Sequence, residues 1–361
     1  MHSIASRQTF VIVVAPLILT VGCLLSRSVA EEKNQAGQRD PGVNIDYHFE
    51  PVTETFPVPG AKVYPMPDPV LRSDVRTAKT KNGHIYAGAG KRLWKSTDRG
   101  MIWTASELPF DSGGGFGILA DDTFILVYDE PKNAGTNVIR STNYGNAWSK
   151  PFALDIRPYD FSGGGWSHVY QHPDGTAMVI VTLRHRDKYS NWSTPEGGIR
   201  DHIFRSADDG RSWGDRTLLV RHSAESSILS LCDSNKMLAY IRHQRGSLPL
   251  DPSDLWKRTG ASSKESTTVV KNGLIAESFD GGHTWKNLRL WGTFGTVPGE
   301  IIQVPDGRVA VLWQQRYPHT TKCTYASELA KTMEVRGARK LTICPSCRDI
   351  RAASFMTTVP S

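Results

Sequence analysis

The sequence predicts an all-β fold assembled from repeated units of about four strands, and three observations carry that expectation. The pattern Ser-x-Asp-x-Gly-x-x-Trp, once with Asn in place of Asp, occurs four times, at Ser96–Trp103, Ser141–Trp148, Ser206–Trp213 and Ser278–Trp285. Turn signals between apolar runs interleave with it, at Lys81-Asn82-Gly83, Asp121-Asp122, Pro173-Asp174-Gly175, Asp233-Ser234-Asn235 and Pro305-Asp306-Gly307. No stretch between residues 70 and 316 keeps a sustained helical apolar period.

Each element has a physical reason. In the Ser-x-Asp-x-Gly-x-x-Trp repeat the Asp or Asn oxygen can accept bonds from backbone N–H groups of its own turn. The Gly supplies a positive φ, and the Trp packs beneath as a plug. Three of the second set of turns carry Asn-Gly or Asp-Gly between apolar runs, a hairpin signal, and each of the five is followed by a largely apolar strand such as Ala177–Leu183 or Val309–Trp313. One unit therefore opens on an inner hairpin and closes on a Ser-x-Asp turn. Five hairpins and four closing turns give four complete units and the start of a fifth.

Composition narrows the class. The chain has 361 residues, 22% of them charged, with ten Trp, 32 Gly and five Cys, which excludes a disordered chain and a disulfide-dense mini-scaffold. The net charge of +7 belongs mostly to the ends: residues 1–30 carry +2 and residues 317–361 carry +4, leaving +1 on the span 31–316. That body is no electrostatic footprint for nucleic acid, and no nucleic-acid partner is expected.

Residues 1–30 read as a secretory signal. Arg7 precedes an apolar run from Phe10 to Leu25, and Ser28-Val29-Ala30 forms a small-x-small cleavage site. The run contains Pro16 and Gly22 and is shorter than the ~20 residues that span a bilayer. The expectation is an exported monomer, periplasmic or extracellular, with no integral membrane segment after cleavage. Residues 31–66 form an N-terminal extension and 67–316 the repeat domain. Residues 317–361 are atypical, with one Gly, no Trp and three of the Cys. An original tail with a small helix around Ala326–Val335 and a shifted reading frame both account for that change. Cys344-Pro-Ser-Cys347 is a lone CxxC without flanking His, so neither a metal nor any cofactor is expected.

The Ser-x-Asp-x-Gly-x-x-Trp repeat resembles the Asp box of the sialidase-like (neuraminidase) superfamily, and the resemblance covers about residues 70–316. It implies a β-propeller, six-bladed in that family, with each Asp box joining the third and fourth strands of a blade away from the active site. Asp98, Asp208 and Asp280 are then structural. The segment Glu225-Ser-Ser-Ile-Leu-Ser-Leu, its turn, and Met237–Arg242 are similar to the sialidase stretch where a Glu starts a strand and an Arg ends its hairpin partner. By that resemblance Glu225 polarises a tyrosine nucleophile, and Arg242 is one of three arginines holding a substrate carboxylate. Arg72, eleven residues before Gly83, takes the position of the first arginine, with Arg76 as its competitor. Arg316, closing the hairpin Gln303–Gln315, takes that of the third.

Two parts of the family pattern are missing. The link Ala87–Trp94, where the family acid stands, is short and has no Asp, so Asp187 in the long insertion Arg184–Asp201 is the candidate acid. Tyr325 is the only late Tyr with a small follower, and the residues after it do not continue as the family strand, so it takes no role. The implied activity is hydrolysis of terminal acidic sugars of the exo-α-sialidase type, with a glycan bearing sialic acid or another acidic sugar as partner. A bidentate Arg cluster suits an anomeric carboxylate, and a carboxylic acid protonates the leaving oxygen. The alternatives are a glycan-binding propeller without catalysis and another carbohydrate enzyme on the same fold, such as a polysaccharide lyase.

Overall fold

The computed structural model describes residues 76–112, 115–130, 135–185, 198–231, 235–264, 268–291, 294–303, 309–315 and 324–329. The strands fall into antiparallel sheets in strict sequence order. The first sheet is β1 (Arg76–Lys79), β2 (Ile85–Ala89), β3 (Arg92–Ser96) and β4 (Thr104–Glu107). The second is β5 (Gly115–Ile118), β6 (Phe124–Asp129), β7 (Thr136–Ser141) and β8 (Phe152–Ala153). The third is β9 (Phe161–Gln171), β10 (Ala177–Arg184), β11 (Arg200–Ser206) and β12 (Gly214–Arg221). The fourth is β13 (Ser223–Ser230), β14 (Met237–Arg245), β15 (Val270–Ser278) and β16 (Lys286–Trp291). A fifth holds β17 (Thr296–Gln303), β18 (Val309–Gln315) and β19 (Thr324–Leu329).

The fold is a β-propeller. The first strands pack on one another in succession, β5 between β1 and β9, and β13 between β9 and β17. They form the inside of the ring. β13 is buried along nearly its whole length, whereas β4 at the outer edge of its sheet is exposed throughout. Second strands are apolar without alternation because a neighbouring blade covers each face. Phe124, Leu126 and Tyr128 of β6 pack with Tyr86 and Leu93 of the first blade, while Ile125 and Val127 pack with Val179 and Phe204 of the third. On β14, Met237, Ala239 and Ile241 face the third blade, and Leu238 and Tyr240 join Ile301 and Val311 of the fifth. Burying each of the larger side chains contributes about 1.5–3 kcal/mol.

The four Asp boxes share one hydrogen-bond pattern. The Ser hydroxyl accepts from the Gly N–H four residues on, at 2.8–2.9 Å, and donates to the Asp or Asn Oδ1. That oxygen in turn accepts from the N–H of Ile102, Ala147, Ser212 or Thr284. Burial pushes the Asp208 carboxyl up, but hydrogen bonds from Ser212 and Ser206 outweigh it and hold the group at about 2. The Trp Nε1 of Trp103, Trp213 and Trp285 donates to the Gly carbonyl.

The second, third and fourth Asp boxes also dock on the blade before them. A Cβ at Gly145 would stand 2.5 Å from Leu93, and one at Gly210 would stand 2.6 Å from Ile125. In the second and third blades the residue ahead of the Asp-box Ser reaches forward to the next blade: Arg140 Nε donates to the Asp209 carbonyl at 3.0 Å, and Arg205 Nη2 to that of Gly282 at 2.7 Å. The fourth blade breaks this pattern. Glu277 holds the position there and instead accepts from Lys236 and Asn287, each at 2.7 Å.

Two findings differ from the sequence-based expectation. The small helix expected around Ala326–Val335 is not formed over its first residues, because Thr324–Leu329 is a strand in register with β18, Gln315 opposite Thr324 and Ala310 opposite Leu329. The open edge of β18 carries a row of backbone donors and acceptors, and pairing satisfies them. The blade pattern therefore runs past residue 316. A short helix, α1 (Leu255–Thr259), does occur inside the link after β14, capped by Gly260 at φ 82°. No described helix is long and apolar enough to cross a membrane. Residues 1–30 and Cys232, Cys323, Cys344 and Cys347 lie outside the described residues.

Replacing Gly210 by Ala would impose both a strained backbone at φ 81° and a clash with Ile125. At Gly175, φ 93°, the added methyl would meet nothing within 4 Å. Urea unfolding is expected to show Gly210→Ala losing about 3 kcal/mol or more and Gly175→Ala about 1–2 kcal/mol. Equal losses would mean that the Asp box does not bear on its neighbour.

Candidate functional site

In an antiparallel meander the first and third turns of a blade lie at one end, and the link from second to third strand lies at the other. The inner turns and Asp boxes therefore occupy one end of the propeller. The opposite end carries links that grow from residues 90–91 through 130–135 and 185–199 to 246–269. Short tight turns on one end and long loops on the other place ligand recognition at the loop-bearing end.

Glu225 stands at that end of β13. The pairing of β13 with β14 shifts between Ala224 and Ser227, and Glu225 sits in this bulge with φ 55°. A left-handed backbone at a non-glycine residue costs about 1–2 kcal/mol and persists only where its surroundings enforce it. Asp201 of the neighbouring blade provides the enforcement from both sides. Its N–H donates to Ser223 Oγ at 2.8 Å, and its carboxylate accepts from the Ser226 N–H at 3.1 Å and from the Ser226 hydroxyl. Thr182 Oγ1 donates to its other oxygen at 2.6 Å.

The bulge turns Glu225 toward Arg242, which lies opposite Ala224. Arg242 Nη1 forms an ion pair with Glu225 Oε1, and its Nη2 donates to Gln244 Oε1 at 3.1 Å. Glu225 Oε2 and Arg242 Nε are buried and have no hydrogen-bond partner among the described residues.

A second carboxylate lies on the adjacent first strand. Glu300 of β17 accepts from Arg76 of β1 and from His168 Nε2 of β9 at 3.1 Å, so the first strands of the first, third and fifth blades meet around it. Burial pushes the Glu300 carboxyl up, but Arg76 and His168 outweigh it and hold the group at about 2. Ser227 Oγ laces the two strands together, donating to the Gly299 carbonyl at 3.1 Å and accepting from the Ile301 N–H at 3.0 Å. Glu225 and Glu300 thus sit on neighbouring strands, within two residues of that seam. Among the described residues no group of three or more His, Cys, Asp and Glu side chains is placed to hold a metal ion.

The structure brings together two of the residues singled out from sequence, Glu225 and Arg242. Arg72, Asp187 and Arg316 lie outside the described residues. Arg76, the competitor of Arg72, is committed to Glu300. Asp201, His168 and Glu300 were not identified from the sequence. One signal pointed to Glu300: it precedes Ile301-Ile302 at the start of an inner strand, as Glu225 precedes its own apolar run.

No family model matches the chain. It is 25% identical, over an alignment of 342 residues, to the xyloglucanase Xgh74A of Acetivibrio thermocellus. The match covers 74% of this chain and 38% of that protein, so the chain spans well under half the length of the curated relative it matches. Among solved structures it is similar to the α-L-arabinanase of Penicillium chrysogenum, with a TM-score of 0.49 and 13% identity over 71% of this chain and 77% of that one. It is also similar to the Hadza microbial sialidase Hz136, with a TM-score of 0.47 and 14% identity over 71% and 56%. A protein of unknown function from Dyadobacter fermentans matches with a TM-score of 0.46 and 18% identity over 72% and 79%.

Asp201 also makes the site visible in stability. Burial raises its carboxyl to about 6, against hydrogen bonds from Ser226 and Thr182 that pull it down, and the Glu225 charge adds to the rise. The folded state therefore keeps a proton that the unfolded chain releases near pH 4, so this group costs stability progressively as pH rises from 4 through 6. A shift of about two units corresponds to at most ~3 kcal/mol. Burial lowers His202 and His222 to about 3, and these act in the opposite sense, costing stability as pH falls below 6.5. The difference between parent and Asp201→Asn isolates the carboxyl: the variant is expected to gain on the parent between pH 4 and 6 in calorimetric Tm. Parallel curves would rule this assignment out.

Proposed function

We propose that the chain is a glycoside hydrolase whose site opens at the loop-bearing end of the first strands and centres on Glu225 and Arg242. The observation that carries this reading is the bulge at Glu225. A strained residue on an inner strand is held from both sides by a neighbouring blade, and it presents a carboxylate with one oxygen on Arg242 and the other unpartnered. Strain of this kind collects at functional sites. A carboxylate fixed at a channel suits general acid–base or electrostatic work on a glycosidic bond. The similarity to a xyloglucanase is in keeping with it.

The finer reading, an exported monomeric exo-α-sialidase, rests on the resemblance of residues 225–242. It requires Arg72, Arg242 and Arg316 to converge on one carboxylate, with Asp187 as acid. Its support is that Glu225 and Arg242, matched from the family segment, meet in an ion pair.

Release of fluorophore from aryl glycosides tests both levels, using a sialoside beside neutral sugars. Turnover of any member is expected to fall by roughly a hundredfold or more in Glu225→Gln, with Tm little changed. Glycan-array binding without turnover would replace the hydrolase by a binding propeller. Products with unsaturated-uronate absorbance would indicate a lyase.

A further inference from the structure

We infer that the sugar taken at this site is uncharged, a neutral glycan recognised through its hydroxyl groups and not through a carboxylate. The inference rests on the glycan-active reading above and selects among its substrates. Its first support is that the described arginines at the inner strands are already neutralised. Arg242 is paired with Glu225, and Arg76 with Glu300. Cations further out on the same end are also engaged: the Arg184 guanidinium lies 3.5 Å from the centre of the Phe161 ring, and Arg245 holds Asp251 through two bonds of 2.5 and 2.8 Å. A third carboxylate, Asp201, stands behind Glu225. A ligand carboxylate entering here would face Glu225 and Glu300 with their counter-charges already taken.

The second support is the hydrogen-bonding capacity left over. Glu225 Oε2 is an acceptor without a donor. His168 gives Nε2–H to Glu300, and its other ring nitrogen, Nδ1, is buried and unpartnered as well. Arg242 Nε is the accompanying donor without an acceptor. An acceptor, a donor and a ring nitrogen together match sugar hydroxyls, each of which both donates and accepts. A carboxylate has only acceptors, so it would satisfy Arg242 Nε and leave Glu225 Oε2 without a donor.

Calorimetric titration of the full chain at pH 7.5 tests this with four probes: arabinobiose and cellotetraose as neutral sugars, 3′-sialyllactose and tetragalacturonate as anionic ones. At least one neutral probe is expected to bind about tenfold or more tighter than either anion, with affinity nearly flat from 20 to 300 mM salt. Glu300→Gln releases the Arg76 charge and is expected to move the ratio about tenfold toward the anions. Tighter binding of an anionic probe by the parent chain, or a steep salt dependence of its preferred probe, overturns the inference and leaves the glycan-active reading standing. An unchanged ratio in folded Glu300→Gln overturns it as well. Should that variant not fold, the salt dependence of the parent chain decides alone. Binding of no probe, together with no turnover of any aryl glycoside, removes the proposed function and this inference together.

Discussion

The structure depends on one turn. In each Asp box a serine hydroxyl bonds both the Gly N–H and the Asp or Asn side chain, which closes the link between third and fourth strands at a fixed length. Because the Gly then lies flat against the preceding blade, the same turn sets the spacing of neighbouring sheets. Three repetitions of this joint tie four blades along one end of the molecule. Chain variation is left to the other end, where the links lengthen from blade to blade and where nothing in the Asp-box geometry constrains them.

That opposite end has its own joints, and they are made of functional groups. Asp129 accepts from Ser162 of the next blade at 3.1 Å, and Asp201 performs the same service toward Ser223 and Ser226. The third joint is Ser227 on the backbone of residues 299 and 301. Each joint fastens one blade to the next. At Asp201 it also bends β13, and the bend is what aims Glu225. The site is therefore not mounted on a finished scaffold: the contacts that hold the third blade to the fourth are those that position its carboxylate.

How much of this was legible follows from range in sequence. The Asp boxes and inner turns are encoded within eight residues or fewer, by a hydroxyl, a carboxylate and a glycine at fixed offsets, so sheet order could be read without the structure. The second strands announced themselves as apolar runs because blades cover both faces. Glu225 and Arg242 are partners across one hairpin, close enough for a segment likeness to pair them. Arg76, His168 and Glu300 come from three blades, and their chemistry exists only once the ring brings the first strands together. No local pattern marks such a contact. Asp201 was hidden differently, at the end of a mixed polar insertion where a buried carboxylate looks like any solvated one. β19 was not read from the sequence, because a short segment in a basic tail becomes a strand only once the open edge of β18 lies beside it.

The fourth joint shows why Glu300 should carry more than one duty. Where Arg140 and Arg205 reach forward to the next Asp box, Glu277 stands in the fourth blade, and residues 317–361 contain no further Asp box for it to reach. Among the described residues the arginine latch joins the second blade to the third and the third to the fourth, and none joins the fourth to the fifth. The fifth blade's described attachments are the apolar contact of Ile301 and Val311 with Leu238 and Tyr240, the Ser227 seam, and the bonds of Glu300 to Arg76 and His168. The last of these spans the ring. An interaction that joins first strands of three blades sits toward the axis, and an ionised group there lies where a ligand enters. The attachment of the fifth blade and the electrostatic character of the channel are in this way set by the same carboxylate, which ties the kind of sugar the channel accepts to the way that blade is held.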